Sequence, residues 1–267
     1  MAYWYDRINY QSNVAFKKRL RSTEKLLAIE YQRALKEIEL EMVDLYDKLV
    51  AEAADGVIRP NDMYKFNRYF ELRNKINRNL TALGMAEVKI YHKELLEMYE
   101  KVQEIISQEA PHIYSNIVLD DKAVEKVLDS VWCADGKHWS DRVWGSKTAL
   151  QESIEKGLMD CVVRGVPKDE MVKELMKRFN VSYKNADRLA RTELSFVQNQ
   201  AAADRYQAAG VTKYQILAAH DERTCDCCKE RDGEIYEFSK MQVGVNYPPF
   251  HPNCRTTVIP VIGKEDK

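Results

Sequence analysis

The longest regular pattern in the chain lies at residues 13–54, which contain neither glycine nor proline. Within this stretch, apolar residues recur at alternating steps of three and four, the spacing of one helix face. These positions are Ala28, Tyr31, Leu35, Ile38, Met42, Leu45 and Leu49. The pattern predicts a long amphipathic helix that packs in an antiparallel bundle, in preference to an intermolecular coiled coil.

Residues that interrupt helices divide the next part of the chain. Asp55-Gly56 is predicted to end the first helix, and residues 59–62 to form the loop and cap before a second helix that runs to about Leu83. Gly84 is predicted as a break or kink before a third helix at about 85–108. Asp120 or Asp121 can cap a helix through Val131, and Ser140 can cap one through Leu158. Two further helices are predicted at 168–179 and 182–210. The aromatic stretch between Trp132 and Trp139 is interpreted as a packing anchor.

After Gly210 the pattern changes to short apolar runs typical of strands. Three strands are predicted, at 213–219, 234–238 and 256–260, and antiparallel pairing would form a compact end module. The fold class is therefore mainly α: a long-helix N-terminal bundle followed by a small α+β C-terminal module. The predicted domains are a long-helix bundle at 1–115, a helical middle region at 116–181 and the end module at 182–267.

Four residues of this module have the spacing of metal ligands. Cys225 and Cys228 are three positions apart, as are His251 and Cys254, and a loop separates the two pairs. Three thiolates and one imidazole saturate a tetrahedral zinc ion, whereas a catalytic zinc keeps one position for water. The spacing predicts a structural Zn²⁺ that staples the module closed, in preference to disulfides or unconnected buried thiols. Cys227 remains an alternative to Cys225 or Cys228.

Composition narrows the class of protein but not its role. Hydrophobic residues make up 45% and charged residues 31% of the 267 residues, which is typical of a soluble, ordered protein. The net charge of -1 gives no global attraction to nucleic acid. A local basic patch consists of Lys17, Lys18, Arg19 and Arg21, although a solvated helix face explains it equally well. The chain shows no transmembrane run or signal pattern, so we expect a reducing cytosol.

Two stretches resemble a known protein family. The first is Ala190-Arg191-Thr192-Glu193 with Asn199; the second comprises residues 221–228, 232–233 and 248–255. In order and separation they resemble the phage minor head proteins called Mu F-like, or head morphogenesis proteins of the minor capsid type. The resemblance covers about residues 185–260. Upstream, the helices resemble the family only in general character.

The resemblance implies a virion protein of a tailed bacteriophage that acts in head morphogenesis, and for some members in DNA packaging or ejection. It implies a location at the portal vertex or in the head interior, after assembly in the host cytoplasm. The implied partner is the portal protein, with the scaffold, the major capsid protein or packaged DNA as further partners, and no membrane. Our hypothesis for Arg191-Thr192-Glu193 is a buried Arg–carboxylate network that ties its helix to the zinc module.

Two other functions compete with this interpretation. A zinc-dependent nuclease or toxin-like transferase would use His220-Asp221-Glu222 for proton transfer, but a polar loop is preferred because no open metal site or nucleophile–base pair accompanies it. His220 itself is expected in a supporting polar role. A zinc-stabilised DNA-binding module would contact phosphates through Arg223, Lys229, Arg231 and Arg255. The sequence therefore favours a protein that is not an enzyme.

Overall fold

The structure, a computed structural model, describes residues 4–53, 58–64, 67–111 and 122–262. Its helices are α1 (Trp4–Glu52), α2 (Pro60–Tyr64), α3 (Arg68–Glu109), α4 (Lys122–Leu128), α5 (Trp139–Arg164), α6 (Lys168–Ala208) and α7 (Asp226–Arg231). Its strands are β1 (Lys213–Leu217), β2 (Ile235–Glu237) and β3 (Thr257–Val261), with a 3-10 turn at Phe238–Lys240. Long helices followed by a small C-terminal sheet confirm the predicted fold class. Within the described residues, none of the helices is both long and apolar enough to span a bilayer.

The apolar seam of the first helix is buried as its period predicts. Tyr31, Ile38, Met42, Leu45 and Leu49 are buried, whereas Ala28 and Leu35 are partly exposed. The helix is longer than predicted, because it begins at Trp4 rather than near residue 13. The polar, aromatic start of the chain therefore continues the same helix.

Two predicted helix boundaries are wrong. Gly84 lies inside α3, and a Cβ atom there would be 2.5 Å from Cζ3 of Trp144. The glycine therefore allows a close approach of the indole ring and does not end the helix. Ser182, predicted as a cap, lies inside α6, where it is 5% exposed and its hydroxyl is 3.3 Å from that of Tyr31. In both cases packing overrides the local preference to end a helix. The expected caps Asp120 and Asp121 lie outside the described residues.

The described chain forms two compact units. One, the sheet unit, comprises residues 1–24, 91–139 and 188–267, and the other, the helical unit, comprises 25–90 and 140–187. Long helices contribute to both units, so segments distant in sequence share a core. The boundary predicted at 181/182 lies inside α6, and the one at 115/116 lies outside the described residues.

A buried ion pair lies in the helical unit. Nζ of Lys147 is 2.7 Å from Oε2 of Glu87, and the two side chains are 4% and 1% exposed. The hydroxyl of Tyr31 donates to the same carboxylate oxygen over 3.1 Å and accepts a hydrogen bond from Lys147. Burial lowers the pKa of Lys147, and the Glu87 carboxylate opposes that shift. The pair therefore needs both partners, because either charge alone would be costly in this environment.

The sheet provides the base of the C-terminal module. Among the described residues it has three antiparallel strands, as predicted, and the structure places them in the order β2-β1-β3. In the central strand, Tyr214 and Ile216 point into the core. The ring of Tyr214 packs against Phe238 and Tyr247, with centroids 4.8 and 5.0 Å apart. Tyr247 thus anchors the start of the segment that leads to His251 and Cys254.

Candidate metal centre

Backbone hydrogen bonds fold each predicted ligand pair into a tight turn. The amide of Cys228 donates to the carbonyl of Cys225 over 3.1 Å, and the amide of Cys254 donates to the carbonyl of His251 over 3.1 Å. Cys225 is the N-cap of α7, and its backbone is extended. The second turn contains Asn253 at φ 61°, a conformation that asparagine adopts more readily than most residues. Each turn brings its two predicted ligands to the same side. The turns at residues 225–228 and 251–254 are called the first and the second hook below.

The two hooks meet. Nε2 of His251 lies 3.1 Å from Sγ of Cys225 and 3.2 Å from Sγ of Cys228. Sγ of Cys228 lies 3.8 Å from Sγ of Cys254. A tetrahedral ion with Zn–S distances of about 2.3 Å places its ligand sulfurs about 3.8 Å apart. The donor types therefore suit zinc, and the Cys228–Cys254 separation matches this geometry, whereas the two sulfur–nitrogen separations are shorter than it.

Cys227 also belongs to this cluster. Its sulfur lies 3.4 Å from that of Cys225, and the donor atoms of Cys225, Cys227, Cys228 and His251 all lie within 4.8 Å of one another. Cys254 joins through its contact with Cys228. The described chain thus gathers five donors for an ion that takes four. The ligand set Cys225, Cys228, His251 and Cys254 stays a prediction. Cys227 lies closer to these donors than the sequence spacing indicated.

The donors differ in exposure. Cys228 and Cys254 are buried beside Ala218 and Phe250, whereas Cys225 and Cys227 are exposed. Burial raises the pKa of the Cys228 thiol well above its usual range. Partial desolvation also raises the pKa of Cys225, but hydrogen bonds from Cys227 and from the Cys228 backbone outweigh it and lower the pKa to about 7. Because zinc binds thiolates, occupation of the site would displace protons from these thiols.

The imidazole is oriented for metal binding. Nδ1 of His251 lies 2.8 Å from the carbonyl oxygen of Pro252. A carbonyl only accepts, so Nδ1 carries the proton and Nε2 presents its lone pair to the sulfurs. This arrangement is typical of metal-binding histidines, whose second nitrogen is fixed by an acceptor.

The polar residues that follow β1, next to the first hook, pair with other polar side chains. Asp221 makes two contacts of 2.5 Å with the guanidinium of Arg255, which holds the pKa of that carboxyl well below its usual range. His220, the residue proposed for proton transfer, lies 3.4 Å from Asp232 and is 71% exposed. His220 is thus paired with Asp232 rather than grouped with the sulfurs. The contacts of Asp221 favour the polar-loop interpretation of this segment.

Several basic residues near the metal centre also have intramolecular partners. Lys229 lies 3.3 Å from the carboxylate of Asp226. Arg231 donates to the carbonyl of Cys227 over 2.8 Å and stacks on Phe250 with 4.9 Å to the ring centroid. Together with the pairing of Arg255, these contacts account for three of the four side chains considered as phosphate ligands.

Helix α6 is joined to the metal loops by neutral hydrogen bonds. The hydroxyl of Thr192 accepts from the amide of Asn253 over 3.1 Å. The side-chain amide of Asn199 donates to the backbone carbonyl of Thr256 over 3.2 Å. The backbone carbonyl of Asn199 accepts from the hydroxyl of Tyr247 over 2.6 Å. The sequence motif therefore positions the second hook, although through different groups than expected.

The charged residues of the motif have other partners. Arg191 pairs with Glu24 of α1. Glu193, 3% exposed, accepts a hydrogen bond of 2.9 Å from the indole of Trp132, which stacks on Phe196. The contacts that the structure gives Arg191 and Glu193 thus differ from the proposed Arg–carboxylate tie to the zinc module. They confirm Trp132 as a packing anchor.

Comparison with known proteins finds a family that is similar to this segment. Residues 152–259 match the model of the family described as Phage Mu protein F like protein. This part of the chain is similar to that family. The matched segment contains the motif residues of α6 and all five donors of the metal centre. It confirms the resemblance found around residues 185–260 and extends it upstream into α5.

One relative widens the comparison. A Haemophilus influenzae protein described as "Uncharacterized protein" is 25% identical over 116 residues, which cover 43% of this chain and 26% of that protein. The chain thus matches about a quarter of the relative's length. No solved structure matches the chain.

Proposed function

We propose that this Mu F-like chain is a minor structural protein of a tailed-phage head, and that its C-terminal module is closed by a structural zinc ion. The observation that carries the proposal is the family match over residues 152–259, which includes every donor of the metal cluster. Its role in the head is non-catalytic. The metal supplies cross-linking between two loops and no reactive water.

The donor set supports zinc in preference to hard cations. Sulfur and imidazole nitrogen suit zinc, whereas calcium and magnesium take oxygen ligands. Cys228 and His251 are central among the four proposed ligands, because each lies within 3.8 Å of two of the others. Cys225 and Cys254 complete the proposed four ligands. With four protein ligands, the ion has no position left for solvent.

The ion would stabilise the sheet unit by joining α7 to the loop at residues 248–256. That loop is held on its other side by Thr192 and Asn199 of α6. Structural zinc in small modules contributes about 10–16 kcal/mol of apparent binding free energy, much of which appears as folding free energy. In a larger unit with its own core, we expect removal of the metal to loosen these loops first.

We further propose the portal protein as the main partner, with the chain at the portal vertex or in the head interior. Scaffold, major capsid protein and packaged DNA are the alternatives. Cross-linking mass spectrometry on purified heads and procapsids tests this placement. Cross-links between this chain and the portal protein are the expected result. Absence of the chain from heads and procapsids would refute the role, and cross-links confined to another partner would refute the portal assignment.

A further inference from the structure

The metal centre has one thiol more than a tetrahedral ion requires. If Cys225, Cys228, His251 and Cys254 bind the ion, Cys227 is left beside it, with its sulfur 3.4 Å from that of Cys225. Both of these cysteines are exposed, whereas Cys228 and Cys254 are buried. The spare thiol therefore lies next to the ligand that solvent reaches most easily.

We propose that Cys227 makes the metal centre releasable by oxidation, by forming a disulfide with Cys225. This inference rests on the proposed zinc site of Cys225, Cys228, His251 and Cys254, called the zinc clamp here, and adds a modification site to it. A disulfide requires the two sulfurs to approach from 3.4 Å to about 2.0 Å. The exposed pair can make this movement without opening the core around Cys228.

The reaction is a thiol–disulfide exchange with a low-molecular-weight disulfide as oxidant. The thiolate of Cys227 attacks one sulfur of the oxidant, forms a mixed disulfide and releases one thiolate. Cys225 then leaves the metal and attacks the Cys227 sulfur, releasing the second thiolate. Two protein thiolates are oxidised to one disulfide, and the oxidant is reduced to two thiols. A zinc ion held by the four proposed ligands would then have lost one of them, which would favour its release.

The position of the buried donors makes this pathway selective. Cys254 is 1% exposed and Cys228 is 3% exposed, so an external disulfide reaches neither readily. Oxidation therefore begins at the surface pair, and the buried thiols stay reduced in the first product. The clamp would hold in a reducing cytosol and open on transfer to an oxidising environment.

The test uses the zinc-loaded full chain, with Cys227→Ser as the variant and Cys133→Ser as the matched control outside the cluster. Each protein is treated with hydroxyethyl disulfide, and metal release is followed with a zinc-sensitive dye. Free thiols are then alkylated and the chain is cleaved before Asp226, which separates Cys225 from Cys227. Mass spectrometry identifies the disulfide that joins the two peptides and the thiols that carry the alkyl label.

In the wild type and in Cys133→Ser, we expect metal release together with a Cys225–Cys227 disulfide and alkylated Cys228. Cys227→Ser should be purified with its metal bound. Under the oxidant it should release the metal at least about tenfold more slowly than the wild type. Release from Cys227→Ser at the wild-type rate, or a first disulfide that involves Cys228, would overturn the inference alone. Cys227→Ser purified without metal would identify Cys227 as a required ligand and also overturn it. A metal-free wild type would instead refute the zinc clamp.

Discussion

Replacement of Asn199 by leucine tests whether the motif of α6 holds the second hook in place. Asn199 is 2% exposed, and its side-chain amide donates to the carbonyls of Ser195 over 2.9 Å and Thr256 over 3.2 Å. Leucine has the same branching and the same number of side-chain heavy atoms, but no donor. The change therefore removes the hydrogen bond to Thr256, which lies between the second hook and β3.

The magnitude follows from the burial of these groups. A buried carbonyl that loses its donor costs about 1–3 kcal/mol, whereas an intact hydrogen bond contributes about 0.5–1.5 kcal/mol net. Asn199→Leu should thus lower the free energy of unfolding by about 1–3 kcal/mol. Tyr247→Phe, which removes the 2.6 Å bond to the Asn199 carbonyl, should lower it by about 0.5–1.5 kcal/mol.

The assay is urea unfolding followed by circular dichroism, with zinc present at the same concentration throughout. Tyr236→Phe is the matched control, because the Tyr236 hydroxyl bonds Glu234 at the exposed side of the sheet. It should change the stability by less than about 0.5 kcal/mol. An Asn199→Leu protein as stable as the wild type, or a Tyr236→Phe effect as large as that of Tyr247→Phe, would refute the reasoning.

Three further results are expected. Lys147→Met should lower the free energy of unfolding by about 3–5 kcal/mol in the same urea assay, because it leaves Glu87 buried without its partner. Adding Glu87→Leu to this variant should recover most of the lost stability. Gly84→Ala should destabilise the protein by about 1–3 kcal/mol through its clash with Trp144, whereas Gly145→Ala, with nothing within 4 Å, should raise the melting temperature. Zinc affinity should fall by about tenfold per unit as the pH is lowered, for each thiol proton that zinc displaces, as measured by competition with a chelator. An affinity independent of pH would contradict zinc binding that displaces protons from the thiols.

Periodicity was sufficient to predict the main elements. The seam of α1 could be identified because one face of a packed helix repeats apolar residues at its own period, and β1 because alternate side chains enter the core. The Cys225 and His251 hooks could be predicted because a turn of four residues brings its ends together. These are local properties, and each depends on few neighbours.

The missed features depend on contacts between distant segments. Gly84 has the composition of a break, but its helix continues because an indole ring packs against it. Ser182 has the chemistry of a cap, but its hydroxyl lies in the buried network of Tyr31. The closeness of Cys227 to Cys225 depends on the direction of side chains around the start of α7, which spacing alone does not give. Glu193 was recognised as a buried motif residue, but its partner Trp132 is 61 positions away.

The central claim is that three cysteine sulfurs and one histidine nitrogen close the C-terminal module around a zinc ion. Metal analysis combined with X-ray absorption spectroscopy on the purified full chain tests it most directly. We predict one zinc per chain with sulfur and nitrogen as its only ligands, at Zn–S distances of about 2.3 Å. A metal-free protein, or a zinc ion with an oxygen ligand from solvent, would contradict the account.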